Sequence, residues 1–522
     1  MEERDGRANL PVRQAPEGPR TRARGVSGRV LVVRADAGVA MGSGHLMRCL
    51  ALAQSWRDQG GEVQWVTAGT LGRLREPIAA EGAPVNELGI DPGSAADAEA
   101  TARLAAAAGA SWVVVDGYHF DGDFRRRVRQ AAPVLQIDDF ARSGEGGADL
   151  VLDSSPLVTP PDYARSEPGA DLLLGVRYAL LRREFREKRR PPADTRPLAS
   201  RLLVTLGGAD PLNQAEQVAR AALRLVGLEV VVVAGSFNPH RESLDALAVE
   251  AGGRLRVHHA VTDMARRMAD AHLAVAGAGV TTFELACMGL PALLLILADN
   301  QRPNARWAER DGFARSLGEE PPADTVAASI GELVADPVAR QRMAAAGRKA
   351  VDGQGAERVA MLLSGALVRL RPAQAGDAEL LHRWANDAQT RASSFHPAPI
   401  PWPEHHRWLA AVLEDGSRWL LLGVDRDDRP VGQVRLDLDR EGALTMSLSV
   451  APEHRGRGLG TALIEAGLRL ARRQLGRVVV HAWIKQDNRA SVVCFGRAGF
   501  ERVGEKTVTG VPAYHYQRRI DG

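Results

Sequence analysis

The chain has 522 residues, 45% of them hydrophobic and 25% charged, an ordinary globular composition in a length too great for one core. A formal net charge of +3 and 5% aromatic residues give no basis for nucleic-acid binding, by charge or by base stacking. Apolar runs such as PALLLILA (291–298) are too short to span a bilayer. Cys49, Cys287 and Cys494 form no C-x-x-C pair, which points to free thiols in a reduced, cytoplasmic compartment and to no metal site.

Residues 1–27 are rich in Arg, Gly and Pro and lack an apolar stretch, so they read as a disordered tail and not as a secretory signal. Next come short β-rich runs, RVLVVRAD (29–36), EVQWVTAG (62–69), WVVVDGY (112–118) and VLQIDD (134–139), with helix-length segments between them. That alternation predicts βαβ units and a parallel sheet covered on both faces. The pattern pauses at RRPPADTRP (189–197) and resumes with RLLVTLGGAD (201–210), LEVVVVAG (228–235), HLAVAGAG (272–279) and PALLLILAD (291–299). The expected architecture is α/β: two similar Rossmann-like domains with a cleft between them at 28–190 and 198–353, a linker at 354–366, and a C-terminal α+β domain at 367–522. No period of 20–50 residues is present, so the chain is no repeat array.

The glycine-rich loops GVAMGSGH, GGADP and AGAGVTT all follow strands, where ligands of open parallel sheets bind. In the first, Gly42 and Gly44 permit close backbone approach and His45 stands where the loop becomes a helix. A helix N-terminus attracts an anion and disfavours imidazolium, so the pattern suits a neutral histidine acting as general base beside an anionic ligand.

Further residues extend this pattern. Arg34, Asp36, Gly42, Gly44, His45, Arg48, Leu52 and Ala53 are followed by Asp116 and Tyr118, by Asp138 and Asp139, by LLGVRYALLRREF (173–185), by GGADPLN (207–213), and by Glu284, Asn300 and Gln301. Over residues 29 to about 315 the sequence resembles the nucleotide-sugar hydrolases of pseudaminic acid biosynthesis, which release UDP from UDP-2,4-diacetamido-2,4,6-trideoxy-β-L-altropyranose. The resemblance implies the two-domain fold of inverting glycosyltransferases (GT-B-like), metal independence, and a nucleotide held by the second half. On that basis Gly207, Gly208, Thr281 and Thr282 are expected at the pyrophosphate, Glu284 at the ribose, and Asn300 and Gln301 in the UDP site. Asp36, Gly44, Tyr118 and Tyr178 are candidates for sugar binding or water orientation. A sugar diphosphate departs without protonation, so a single base suffices: His45 would activate water to attack the anomeric carbon with inversion.

In the last third, RGRGLG (455–460) follows the strand-like TMSLSV and precedes a helical run, a context for a backbone anion nest, with Arg455 and Arg457 adding charge. Downstream stand Asn488, Ser491, Phe495, Gly499 and Phe500 in N-x-x-S-x-x-x-F-x-x-x-G-F spacing. Together these resemble the GNAT acetyltransferases, over roughly 367–520. The resemblance implies an acetyl-CoA pyrophosphate cradled by Arg455, Gly456, Arg457, Gly458, Leu459, Gly460 and Thr461. It places the pantetheine along a strand that splays from its neighbour at Leu448–Val450, with Asn488, Ser491 and Phe495 completing the site. Many members carry tyrosine where Phe495 stands, so the departing thiolate would take its proton from water, His481, Tyr514 or Tyr516. Trp384, Asn386, His406 and Trp408 in the segment 381–409 are candidates for the acetyl-acceptor side.

Both resemblances point to consecutive steps on one metabolite, N-acetylation of a UDP-4-amino sugar and then removal of UDP. The partners expected are acetyl-CoA and UDP-amino sugars, with no nucleic acid and no membrane. The alternatives are a GT-B glycosyltransferase with an appended acetyltransferase, and a non-catalytic UDP-sugar and CoA sensor.

Overall fold

The computed structural model describes residues 30–38, 42–141, 146–189, 199–208, 210–364, 368–425, 428–456 and 458–520. The tail expected at 1–27 and Arg457 lie outside the described residues.

The first sheet contains β1 (Val30–Ala35), β2 (Glu62–Thr67), β3 (Val85–Glu87), β4 (Ala110–Asp116), β5 (Val134–Asp138), β6 (Leu150–Asp153) and β7 (Asp171–Leu174), all parallel, in the order 3-2-1-4-5-6-7. The second contains β8 (Arg201–Thr205), β9 (Glu229–Ala234), β10 (Leu255–His259), β11 (Leu273–Gly277), β12 (Ala292–Leu295) and β13 (Ala314–Gly318), also parallel, in the order 10-9-8-11-12-13. Each begins as a Rossmann-type sheet whose strand order reverses next to its first strand, between β1 and β4 and between β8 and β11. The β-branched runs VLVVRA and EVVVVA form central strands because helices cover both faces, leaving no position for a polar alternation. Local signals set helix ends: in Ala95–Ala108, Ser94 accepts a hydrogen bond from the Asp97 amide at 3.2 Å and Gly109 stops the helix at φ 62°.

The third sheet is mixed: β14 (Arg369–Pro372), β15 (Arg418–Val424), β16 (Pro430–Leu438), β17 (Leu444–Val450), β18 (Val478–Lys485), β19 (Glu501–Val508) and β20 (Val511–Ile520), in the order 14-15-16-17-18-20-19. Its one parallel pair, β17 with β18, is joined only at Leu444–Val480 and Thr445–His481, whereas β17 stays paired with β16 up to Val450. The C-terminal half of β17 therefore splays from β18.

Residues 354–366, expected as a linker, contain the helix Gly355–Ser364, and the reason is hydrophobic. Ala356, Val359, Ala360, Leu362 and Leu363 pack into the core of the first sheet, beside Leu50, Ala53 and Trp56, and the Trp112 indole donates to the Leu363 carbonyl at 3.2 Å. Burying each large apolar side chain of that helix is worth roughly 1.5–3 kcal/mol. The chain thus passes through the second sheet and returns to the first before entering the third. The helix also holds the third unit: Met361 abuts Gly458, and Arg358, 5% exposed, donates to the carbonyls of Arg497 at 2.7 Å and Arg177 at 2.8 Å while pairing with Asp352. Arg358→Met leaves two carbonyls and the part-exposed Asp352 without this donor. We expect a loss of about 1–3 kcal/mol, read as a lower first calorimetric transition and faster protease cleavage between the second and third sheets.

Candidate functional site

The two strand-order reversals face each other. A Cβ on Gly208, after β8, would lie 3.4 Å from Gly42 Cα, after β1, and one on Gly44 would lie 3.8 Å from Val280, after β11. Between the sheets is a cavity of about 210 Å³ lined by Gly44, His45, Arg48, Tyr118, Asp139, Phe140, Ser154 and Ser155 from the first unit. Gly279, Val280, Phe283, Asn300, Gln301 and Asn304 line it from the second.

At its centre is a charge network. β1 and β4 run in register, Ala35 beside Asp116, which puts the Asp116 carboxylate under the first turn of the helix Gly44–Asp58. His45 Nδ1 lies 2.6 Å from Asp116 Oδ1. Arg48, one turn further along the helix, donates to both Asp116 oxygens at 2.7 Å and to Asp139 at 2.7 Å. Burial raises the Asp116 pKa, but Arg48 and His45 outweigh it and hold the carboxyl well below the usual range. An ionised Asp116 can only accept, so His45 Nδ1 carries the hydrogen and Nε2 is the acceptor of the neutral ring. Tyr118 meets the His45 ring edge-on at 5.1 Å and donates to Asp139 at 2.9 Å. Burial and the Asp139 charge push the phenol above its ordinary range, so it remains a donor, and Asn300 reaches the same hydroxyl from the second unit.

The cavity loops are fixed from behind. Tyr163 donates its hydroxyl between Asp138 at 2.9 Å and Asp153 at 2.8 Å, and Asp153 accepts from the Phe140 and Ser155 amides. Phe140 and Ala141 both have positive φ, 61° and 55°, a costly backbone for non-glycine residues, and one that stands at the cavity wall.

Of the expected site residues, the cavity brings together Gly44, His45, Tyr118, Asn300 and Gln301. Others lie elsewhere for identifiable reasons. Asp36 accepts from the Ala68 amide at 2.8 Å and is held by Arg34 and His119, so its oxygens anchor the loop after β2. Tyr178 is 5% exposed and packs in the first core, under the start of the helix Gly355–Ser364. Thr282 is fully buried, whereas Thr281 opens the helix Thr281–Met288 immediately after the cavity residues Gly279 and Val280. Gly207, at φ 86°, and Gly208 border the inter-sheet gap without lining the cavity. Glu284 lies 3.8 Å from Arg182; burial, opposed by Arg182, pushes its carboxyl up to about 7. Arg48, Asp116 and Asp139 belong to the conspicuous sequence pattern, but nothing in the sequence assigned them to the histidine.

In the third unit, Gly456 and Gly458 both adopt positive φ, 76° and 77°, and Gly458 is the N-cap of the helix Leu459–Leu475 with no side-chain cap, leaving the first amides for an outside acceptor. Gly460 faces Cys494, where a Cβ would come within 2.9 Å of the sulfur, and Thr461 is 1% exposed. Leu448 and Val450 lie on the splayed half of β17. Arg455 turns away from the loop to bind Asp387 at 2.5 Å, Gln389 and Thr390. Asn488 caps the helix Arg489–Arg497 by accepting from the Ser491 amide at 3.1 Å, and Phe495 sits in the core, edge-on to Phe500. Both therefore have structural work that needs no ligand. Trp384, 1% exposed, fills the core beside Leu381 and Leu409 and cannot reach an acceptor substrate. Asn386 clamps the Ile400 backbone through two hydrogen bonds. His406 is exposed and Trp408 half-buried, on the helix Trp402–Glu414. Of the alternative proton donors, Tyr516 is a core residue and Tyr514 lies under Arg502.

Among the described residues no group of three or more His, Cys, Asp or Glu could hold a metal ion, and no helix is long and apolar enough to cross a membrane. Burial opposes ionisation of Glu284 in the folded chain, so its contribution to stability depends on pH. Its carboxyl is neutral in both the folded and the unfolded chain below about pH 4.5, and its folded form resists ionisation up to about 7, so stability falls as pH rises through that window. Glu284→Gln should narrow the fall in Tm between pH 5 and 8 by about 2–4 °C, measured by scanning calorimetry.

Residues 201–359 match the glycosyltransferase family 28 C-terminal domain, and residues 368–501 match the acetyltransferase (GNAT) domain. The chain is 29% identical over 167 residues to the spore coat polysaccharide biosynthesis protein SpsG of Bacillus subtilis, covering 31% of this chain and 49% of that protein. It is 35% identical over 214 residues to the UDP-N-acetylglucosamine–N-acetylmuramyl-(pentapeptide) pyrophosphoryl-undecaprenol N-acetylglucosamine transferase of Sorangium cellulosum, covering 39% and 51%. It thus spans about half the length of these curated relatives. An uncharacterised Methanocaldococcus jannaschii protein, MJ1062, aligns at 21% identity over 90% of this chain and 96% of its own. Acinetobacter baumannii MurG superposes with a TM-score of 0.45 at 20% identity, over 64% of this chain and 99% of that one. One polypeptide thus carries a region that matches the glycosyltransferase family 28 C-terminal domain, followed by a region that matches the acetyltransferase (GNAT) domain.

Proposed function

We propose that the chain is a bifunctional nucleotide-sugar enzyme: a UDP-sugar hydrolase in the first two units and an acetyl-CoA-dependent N-acetyltransferase in the third. The observation that carries the first half is the His45–Asp116 pair at the cavity wall, 2.6 Å apart, with Nδ1 facing the carboxylate. In this reading Nε2 takes a proton from water as the oxygen attacks the anomeric carbon, and the developing imidazolium is stabilised by Asp116. The pyrophosphate would lie toward Gly279 and the start of the helix at Thr281, whose amides suit a departing diphosphate. Asn300 and Gln301 would complete the nucleotide side. UDP-2,4-diacetamido-2,4,6-trideoxy-β-L-altropyranose is the substrate proposed, from the resemblance of the site residues to the pseudaminic acid hydrolases. Acetyl-CoA would lie along the splay of β17, its pyrophosphate at Gly456–Gly460, and would acetylate the preceding UDP-4-amino sugar. A cytoplasmic setting fits both metabolites.

A second reading is favoured by the match of residues 201–359 to a glycosyltransferase domain: transfer of the sugar to a hydroxyl acceptor in place of water. The test is to incubate the purified chain with the UDP-diacetamido sugar alone. Free sugar and UDP without any acceptor support hydrolysis; UDP release only when an acceptor is added supports transfer. His45→Ala should lower UDP release about 10²–10⁴-fold while UDP affinity by calorimetry is retained. Asp116→Asn, which cannot fix the same tautomer, should fall by a similar factor. Undiminished turnover in His45→Ala overturns the base assignment. With acetyl-CoA and the 4-amino sugar, free thiol and an acetamido product are expected in equal amounts.

A further inference from the structure

One face of the third sheet carries an ion pair, Arg435–Asp437, and polar atoms that the fold itself does not use. The helices Ala378–Ala385 and Trp402–Glu414 cover that face at β15, where Leu420 and Leu422 pack against Leu381, Trp384, Leu409 and Val412. Cross-strand partners share a face, and Leu422 and Leu420 are opposite Gln433 and Arg435, which are opposite Ser449 and Ser447. Past β15 the cover ends and the face turns polar. Gln433 Oε1 and Ser449 Oγ are buried there without hydrogen-bond partners, beside the Arg435–Asp437 ion pair at 3.1 Å. Buried polar atoms without partners are rare in native folds, and two along one trough, next to an ion pair, suit a polar ligand.

Across the splay, on β18 and β20, two imidazoles meet. His481 Nδ1 lies 2.9 Å from His515 Nε2, and Trp483 stacks flat on His515 at 4.1 Å with Lys506 over its own ring at 3.6 Å. Thr445–His481 is the last rung before β17 departs, so the pair stands at the throat of the splay. At 2.9 Å only one of the facing nitrogens can carry a hydrogen, so the pair cannot become doubly charged without breaking this contact. Burial, His481 and Lys506 hold the His515 ring toward its neutral form.

We propose that the His481–His515 pair is the proton acceptor for the amine acetylated in this trough, an inference that rests on the acetyltransferase reading above. The ammonium gives one proton to an outer nitrogen of the pair, and the charge spreads through the 2.9 Å contact. The freed amine nitrogen forms a bond to the thioester carbonyl carbon and the carbon–sulfur bond breaks. The second nitrogen-bound proton leaves with the sulfur as free thiol, and the pair returns its proton to solvent. By register the charged residues on the pair's face of the sheet are Lys506, whose charge acts on His515, and Glu501 from β19, the ion-paired Arg435 and Asp437 from β16, and Lys485 from β18 itself.

The test uses the full chain with acetyl-CoA and the UDP-4-amino sugar, following thiol release from pH 6 to 9.5. His481→Gln and His515→Gln should each lower kcat at pH 7 about 100-fold, with the deficit shrinking at high pH as hydroxide deprotonates the amine, and with acetyl-CoA affinity by calorimetry unchanged. A deficit of the same size at every pH, a change under threefold, or weakened acetyl-CoA binding overturns the proposal. A parent chain that acetylates no amine overturns the acetyltransferase reading itself, and the proposal with it.

Discussion

The Asp116 carboxylate is the interaction on which the first two units depend. It is fully buried, ends the strand next to β1, and is held on both oxygens by Arg48 and on one by His45. A buried anion of this kind persists only when its partners are in place. It therefore fixes the ring of His45, the first turn of the helix carrying both partners and, through Arg48, the loop of Asp139. Asp116 and Asp139 together outweigh Arg48 by one negative charge. In the proposed reading, a proton taken up by His45 would leave the cluster without net charge.

Around that network, placement follows from topology. Each parallel sheet reverses its order beside its first strand, and a loop leaving such a reversal has open space above it. Two such spaces face one another here, and the two walls differ in chemistry. The first carries the ionisable side chains, while the second carries Gly279, Val280 and the amide side chains of Asn300, Gln301 and Asn304. In the proposed function the first wall would move protons, and the second would hold the diphosphate by backbone and amide groups.

The sequence conveyed this unevenly. The central strands were legible because a strand buried on both faces needs unbroken β-branched runs, and the His45 loop because glycines and a helix start must be adjacent in the chain. The partner of His45 was not, since Asp116 is 71 residues away and only the β1–β4 register brings it near. Asp36 looked equivalent, an acid following a strand, but its oxygens are taken by Ala68, Arg34 and His119, contacts with no local signature. Tyr178 and Trp384 illustrate the same limit for aromatics, whose residue type suits a core and a binding wall equally. Asn488 and Phe495 stand at the expected spacing, yet one caps a helix and the other fills a core, so a spacing can be kept by folding alone.

The helix Gly355–Ser364 lies in the segment expected as a linker, since it follows one domain and precedes another. Its apolar side completes the first core, and Met361 and Arg358 brace the third unit at Gly458 and Arg497. Anyone dividing this polypeptide to obtain its halves separately would have to leave those ten residues with the amino-terminal piece. Recombination that swaps acetyltransferase modules between such chains would meet the same obstacle, so fusion partners of this kind should be inherited together with the segment that joins them.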